Sequence, residues 1–570
     1  MHDLATSGQA APARVRAAVS KAEIVLAVML GMAYPVLWAM DAGKGVTWDE
    51  KNYHSYNVYA WLSGTMDYHL APAGQHSWLN PILYVPHYWV IHHVPPAVAG
   101  GIFAAWAGLN FVLIYVLAVL VLVNSSRWLA GGIAVVCGIV GLSDPLFLTQ
   151  IGTSDADDLV SLPVLGSLCS LAWASREGRS AKSRDIAYGT AGVLLGAAAG
   201  LKWTCFVYAV GMTVSLLLLW KVLNMNPRRF LWFAVGGIAG YLPAGGYWNW
   251  VLWTGYQNPF FPYWNRYFRS PWAIPANYRD LRFPPDSLQT ALTFPFQWFV
   301  GLHPTNEAVF RTAVFAFLSV LIPAVALVLL GRWVARRARR MGVSGSRHAT
   351  MPSETFAALL AGREPWWLLL TFAVISYAVW IRLFAIQRYL VPIALLAGLL
   401  LWLCCDFLFS NRAAKLAVFL FLAAFSVHWM QRESSGWRVA YGYSWFGLQL
   451  PAEVQQPETL FVMLGSEPMG YIVPYLPEST RTVRLTEAIM PGDGTPTELT
   501  RRAQGILSQH AGAMRSLSVG PLQEADFNYL KRFGLVLVEA ECKQFRSDVD
   551  QFTTCPVLRP SAAETRTQEN

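Results

Sequence analysis

Long apolar runs recur along almost the whole chain, and each is about the 20 residues a helix needs to cross a bilayer. Candidate spans lie at 22–40, 97–123, 128–148, 159–175, 186–201, 203–221, 230–253, 308–331, 366–384, 388–409 and 415–430, about eleven helices in all. A soluble enzyme, a disordered chain and a coiled coil are excluded by the same feature, because charged residues make up only 14% of the sequence against about 25% in an ordinary soluble domain. The 25 Trp and 23 Tyr suit membrane–water interfaces, where a ring can keep one edge apolar and one wet. No signal-peptide cleavage site follows the first span, so it is read as retained.

Lysine and arginine orient the spans. With the N-terminus (residues 1–21, carrying Arg14, Arg16 and Lys21) in the cytoplasm, the cytoplasmic turns receive Arg127, Arg176, Arg179, Lys182, Arg184, Lys221, Arg228, Arg229, the basic run at 332–340, Arg412 and Lys415. The outer loops are poorer, with Lys44, Lys51, Arg266, Arg269, Arg279 and Arg282. Membrane orientation therefore accounts for the net charge of +9, and nucleic acid is not needed.

The membrane domain covers 22–430 and has two long outer loops, 41–96 and 254–307. In the first, WDEKNYHSYNVYAWLSG and LNPILYVPHYWVIHH place aromatic and polar residues at helical spacing. Both read as short helices lying in the outer membrane face. The second, with NPFFPYWNRYFRSPW, is expected to pack on that face. From 431 to 560 charges return and apolar runs shorten to strand length, as in ETLFVMLG and FGLVLVEA, which predicts a small α/β domain outside the membrane. A polar tail, 561–570, follows. Of the 7 Cys, Cys542 and Cys555 lie in the polar C-terminal region and are disulfide candidates if it is extracytoplasmic. The others sit in apolar runs, and no CxxC pair or zinc spacing occurs.

Three groups of residues carry chemistry. Asp49 and Glu50 follow the first span among Tyr53, His54, Tyr56 and Tyr59. A carboxylate shielded by aromatics can act as a general base; equally, the pair can start an interfacial helix and favour its dipole. Asp155, Asp157 and Asp158 join the third and fourth spans on the same side. They can ligate a divalent cation through oxygen, or cap the following helix. Lys202, Arg382 and Arg388 lie at that same depth, where cations either bind a lipid-linked phosphate or snorkel to headgroups. Six of the 11 His fall in the first outer loop without zinc-ligand spacing, which favours interfacial or substrate-bonding roles for His54 and His76.

The order and sidedness of these features resemble the GT-C glycosyltransferases, a group that includes protein O-mannosyltransferases and the lipid A aminoarabinose transferase. The wording VTWDEKNYHSYNVYAWLSG, HLAPAGQHSWLNPILYVPHYW, NPFFPYWNRYFRSPW and QRYLVPIALLAG is similar to a less characterised bacterial branch. The resemblance implies an all-α polytopic membrane enzyme with an extracytoplasmic C-terminal domain. It implies transfer of a sugar from a polyprenyl-phosphate donor to a hydroxyl of a lipid, glycan or protein acceptor, with inversion, at the periplasmic face of a bacterial inner membrane. Asp49 would be the general base and Glu50 its neighbour in the acidic pair. Lys202, Arg388 and, by depth, Arg382 would hold the donor phosphate. Tyr53, His54, His76, Asp155, Asp157 and Asp158 would contact substrate, the three acids also being a metal site in some members. No cofactor is required, a divalent cation (Mg or Mn) being optional for a monophosphate donor. The competing readings are a transporter or flippase of lipid-linked sugars, and a non-catalytic factor for envelope polysaccharide assembly.

Overall fold

The first span starts on a capping box. Ser20 accepts from the Glu23 amide, and the Glu23 carboxylate reaches back to the Ser20 amide. Helix α1 (Lys21–Ala42) stops at Gly43, whose φ of +81° favours glycine. That stop sets where Asp49 emerges. The computed structural model describes residues 19–122, 126–278, 280–302, 304–305, 310–343, 357–432, 438–486, 489, 491 and 495–559. Arg14, Arg16, Arg279 and the polar tail lie outside the described residues.

Six helices among the described residues are long and apolar enough to cross a membrane: Lys21–Ala42, Pro96–Val121, Val314–Ala338, Glu364–Leu383, Gln387–Leu408 and Arg412–Trp429. Arg127–Leu142 and Trp203–Leu218 are shorter apolar helices. The remaining expected spans are also helical, but each carries polarity or a break. Asp157–Ala174 begins with two acids, Ala181–Leu201 has Lys182, Arg184 and Asp185 in its first turns, and Pro227–Tyr241 runs through a π-turn at Leu242–Gly246 into Tyr247–Tyr256. The expected span 128–148 is broken. Helix Arg127–Leu142 ends, Asp144 caps the Leu146 amide at 3.0 Å, and Pro145 opens a new short helix, Pro145–Gln150. This break turns residues 151–155 back towards the first outer loop.

Gln387–Leu408 is the buried axis of the bundle, whereas α1 exposes Val25, Met29 and Leu37 as a lipid-facing side would. Arg127 pairs with Glu23 at 2.7 Å at the end expected to be cytoplasmic.

The C-terminal region forms a five-stranded mixed sheet in the order Arg481–Arg484, Leu460–Leu464, Met514–Val519, Gln551–Thr554, Lys543–Arg546. The first three strands are parallel and the last two antiparallel. ETLFVMLG supplies the strand Leu460–Leu464, buried at every position. FGLVLVEA gives only the two-residue strand Val536–Leu537, paired with Val557–Leu558 outside the main sheet. Cys542 and Cys555 are joined by a disulfide.

The first outer loop holds the short helices expected of it, and WDEKNYHSYNVYAWLSG is largely enclosed by protein. It forms a π-turn at Glu50–His54 running into the helix Ser55–Leu62, and His54, Tyr56 and Val58 are buried. The C-terminal domain covers it so closely that a Cβ on Gly470 would stand 2.0 Å from the Asn52 carbonyl oxygen. Further along the loop, the Leu70 amide donates to Thr482 O at 2.8 Å and the Arg484 amide to Leu70 O at 3.0 Å, extending the sheet edge. Helix Val85–His93 is closer to the interfacial expectation, with Val90 and Ile91 buried and Trp89 exposed.

Candidate active site

Asp49 stands at the entry to the π-turn and is 7% exposed. Its Oδ2 lies 2.6 Å from Arg388 Nη2. Arg388 comes from the far end of the membrane region, on the turn Gln387–Leu390 that leads into the buried axial helix. That turn is held firmly: the Gln387 amide donates to Thr305 O at 2.9 Å, and Trp380 Nε1 donates to Ile386 O at 2.7 Å. The Tyr208 hydroxyl donates to the Tyr389 carbonyl. Arg388 Nη1 lies 3.8 Å from Asp155 Oδ2, so one guanidinium faces an acid of the first outer loop and an acid of the turn between the third and fourth expected spans. Its side chain keeps 30% exposure while Asp49 and Asp155 are buried. An ion pair this enclosed holds its geometry by mutual attraction in a poorly solvated setting.

Asp155 also accepts from Thr47 Oγ1 at 2.7 Å and from Gln150 Nε2 at 3.4 Å. Thr47 sits two residues before Asp49 in the sequence, so this bond joins the two acidic loops directly. The next residue, Ala156, has a φ of +59° and turns the chain sharply. Asp157 consequently faces Lys202, whose Nζ lies 2.8 Å from Asp157 Oδ1 and donates to the Asp155 carbonyl at 2.7 Å. Asp158 turns elsewhere, with its Oδ1 on the Leu159 amide at 2.8 Å. The three acids therefore part company at the turn. Among the described residues no group of three or more metal-ligating side chains gathers, so the acids as arranged do not fit a shared cation.

Glu50 parts from Asp49 in the same way. It is fully buried, accepts from Trp445 Nε1 at 2.6 Å, and faces His87 Nε2 at 3.6 Å. Burial pushes its carboxyl up to about 8, with the Trp445 hydrogen bond opposing. Tyr53 stacks on His76 at 5.4 Å, and Trp48 meets His76 edge-on at 5.3 Å, forming an aromatic wall beside Asp49. Burial lowers His76 to about 4, so the wall is neutral at ordinary pH. His54 stacks on Tyr84 and bonds Ser154 at 2.7 Å.

The expected residues thus divide. Asp49, Asp155 and Arg388 meet, with Lys202 and Asp157 beside them. Glu50 and Asp158 point away, and Arg382 is exposed in the last turn of its helix. Thr47, Gln150 and Trp445 belong to this neighbourhood without having been singled out from sequence. Thr47 lies inside the VTWDE motif, which is a usable signal, whereas Trp445 is remote in sequence and offered none.

No family model matches the chain, and no curated protein matches it. Two solved structures are similar in outline. The crystal structure of ArnT from Cupriavidus metallidurans bound to undecaprenyl phosphate shares 13% identity over 94% of this chain and 98% of that one, with a TM-score of 0.48. The apo form shares 13% identity over 93% and 97%, with a TM-score of 0.43.

Proposed function

We propose that this chain is an integral-membrane glycosyltransferase of the GT-C kind, moving a sugar from a polyprenyl-phosphate donor to a hydroxyl acceptor at the outer face of a bacterial inner membrane. The observation that carries the reading is Arg388, partly open to its surroundings and bridging Asp49 at 2.6 Å and Asp155 at 3.8 Å. A guanidinium suits the planar, two-oxygen geometry of a phosphate monoester. Lys202 has its ammonium engaged by Asp157 and the Asp155 carbonyl, and is 11% exposed, so Arg388 is the more accessible cation.

In the resting state Arg388 neutralises Asp49. The donor phosphate competes for that guanidinium, and its arrival frees the carboxylate. Asp49 takes the acceptor hydroxyl proton as the acceptor oxygen bonds to the anomeric carbon. The bond from that carbon to the phosphate oxygen breaks, its electron pair leaves with the polyprenyl monophosphate, and Arg388 stabilises the growing charge. A single displacement inverts the anomeric centre. The ionisable residues gather at one end of the bundle, next to the C-terminal domain, which favours surface chemistry over a transport path through the midplane.

Asp49→Asn tests the base. It keeps the size and removes the proton acceptor. The protein is expected to insert and fold while sugar transfer from a polyprenyl-phosphate donor falls by about two to four orders of magnitude, the usual worth of a general base. Full transfer by this variant would assign the base elsewhere; lipid-linked sugar crossing liposomes without an acceptor would favour a transporter.

A further inference from the structure

Two lysines flank Asp49 in the sequence, and one hairpin of the C-terminal domain grips both. Residues 547–550 form the tip between the strands Lys543–Arg546 and Gln551–Thr554. Lys44 Nζ lies 2.7 Å from Asp548 Oδ2 and also donates to Ser444 O at 3.2 Å. Lys51 Nζ lies 2.8 Å from Asp550 Oδ1. The Lys44 side chain is wholly buried, and a lysine takes such a position only when it is paired.

The tip is itself firmly held. The Asp550 amide donates to Ser547 Oγ at 2.9 Å, and the Ser547 amide to Asp550 O at 2.9 Å. The Tyr471 hydroxyl donates to Asp550 Oδ2 at 2.9 Å, and the Asp548 amide donates to Phe446 O at 2.9 Å. A Cβ on Gly447 would stand 2.1 Å from Asp548 Oδ1, so that carboxylate lies tight against the backbone there. Ahead of Asp49, Lys44–Gly45 is also paired as a short strand with Arg438–Val439.

We propose that this hairpin tip is a positioning device for the base, with Asp548 and Asp550 holding Lys44 and Lys51 and thereby fixing the backbone that carries Asp49. The inference rests on the assignment of Asp49 as base. The tip touches no reacting atom, so its acids are positioning residues.

The test uses the full chain in lipid nanodiscs, with Asp548→Asn, Asp550→Asn and the exchanged pair Lys51→Asp with Asp550→Lys. Hydrogen exchange across residues 44–54 is read without substrate, and kcat and donor KM are read with a polyprenyl-phosphate sugar. Faster exchange and a kcat lower by about tenfold are expected in the single variants, since small misplacements of a reacting group are costly. Donor KM is expected to stay within about twofold, because Arg388 is untouched. The exchanged pair is expected to recover most of the kcat, and Asp550→Glu, which keeps the charge, to lie between wild type and Asp550→Asn. Unchanged exchange, unchanged kcat, or a fall that neither charge-retaining variant moderates would overturn the proposal. If the wild-type chain transfers no sugar, the transferase reading falls, and hydrogen exchange alone decides whether the tip holds the loop.

Discussion

Adjacent carboxylates have opposite environments at Asp49 and Glu50. Asp49 meets a guanidinium, whereas Glu50 is enclosed with Trp445 and His87. With its carboxyl pushed up to about 8 by burial, Glu50 is protonated in the folded chain at neutral pH. Unfolding returns it to its ordinary value of 4.5. The folded state therefore binds the extra proton between those two values, and stability falls as pH rises through that window, by up to about 1.4 kcal/mol per pH unit. Glu50→Gln carries no such proton and is expected to flatten this part of the profile. Thermal unfolding of both proteins in detergent from pH 5 to pH 9 checks it, and parallel curves would show that Glu50 is ionised in the fold.

Helix pairs in this membrane domain meet backbone to backbone. Ala181–Leu201 and Pro227–Tyr241 interlock through glycines: a Cβ on Gly196 would stand 2.0 Å from Gly237 O, and one on Gly240 would stand 2.0 Å from Val193 O. Lipid supplies little hydrophobic drive between helices, so close packing of small residues carries the association. Gly196→Leu forces the pair apart and, as overpacking, is expected to cost roughly 1–3 kcal/mol. Because Lys202 caps the end of the first of these helices, transfer is expected to drop alongside stability. Unfolding midpoints and transfer rates of Gly196→Leu, set beside Gly132→Ala, where a Cβ meets nothing within 4 Å, check this; equal behaviour of the two would refute it.

At the scale of the whole molecule, the C-terminal domain is part of the site's support. Trp445 reaches Glu50, and the 547–550 tip reaches the lysines on both sides of Asp49. The Cys542–Cys555 disulfide, with a sequence separation of 13, closes the loop that contains the hairpin carrying the tip. Closing a loop of that size is worth about 3 kcal/mol in the chain-entropy account. Replacing both cysteines with serine is expected to lower the stability of this domain by that order and to reduce transfer through a looser tip. Denaturant unfolding and transfer assays on Cys542→Ser with Cys555→Ser check it, and unaltered transfer would separate the domain's stability from the base.

The apolar runs, the two acidic loops, the aromatic first loop and the strand-like ETLFVMLG were legible in the sequence because each is a local pattern with its own period and composition. The break at Asp144–Pro145 was legible in principle, since a capping acid before proline starts a helix anew. Meetings across long separations were not. Arg388 with Asp49, Trp445 with Glu50 and Asp548 with Lys44 join residues hundreds of positions apart, and no local pattern encodes which partner arrives. Nor did the sequence separate Asp49 from Glu50, or Asp155 from Asp158. Their divergence follows from a π-turn and a left-handed residue, whose geometry is fixed by surrounding packing. The sequence by itself determined helices apolar enough to cross a membrane, with acids and cations in the segments between them, because hydropathy and charge act residue by residue. Only the tertiary structure decided which of those charges meet, because an ion pair depends on the distance between side chains that folding alone brings together.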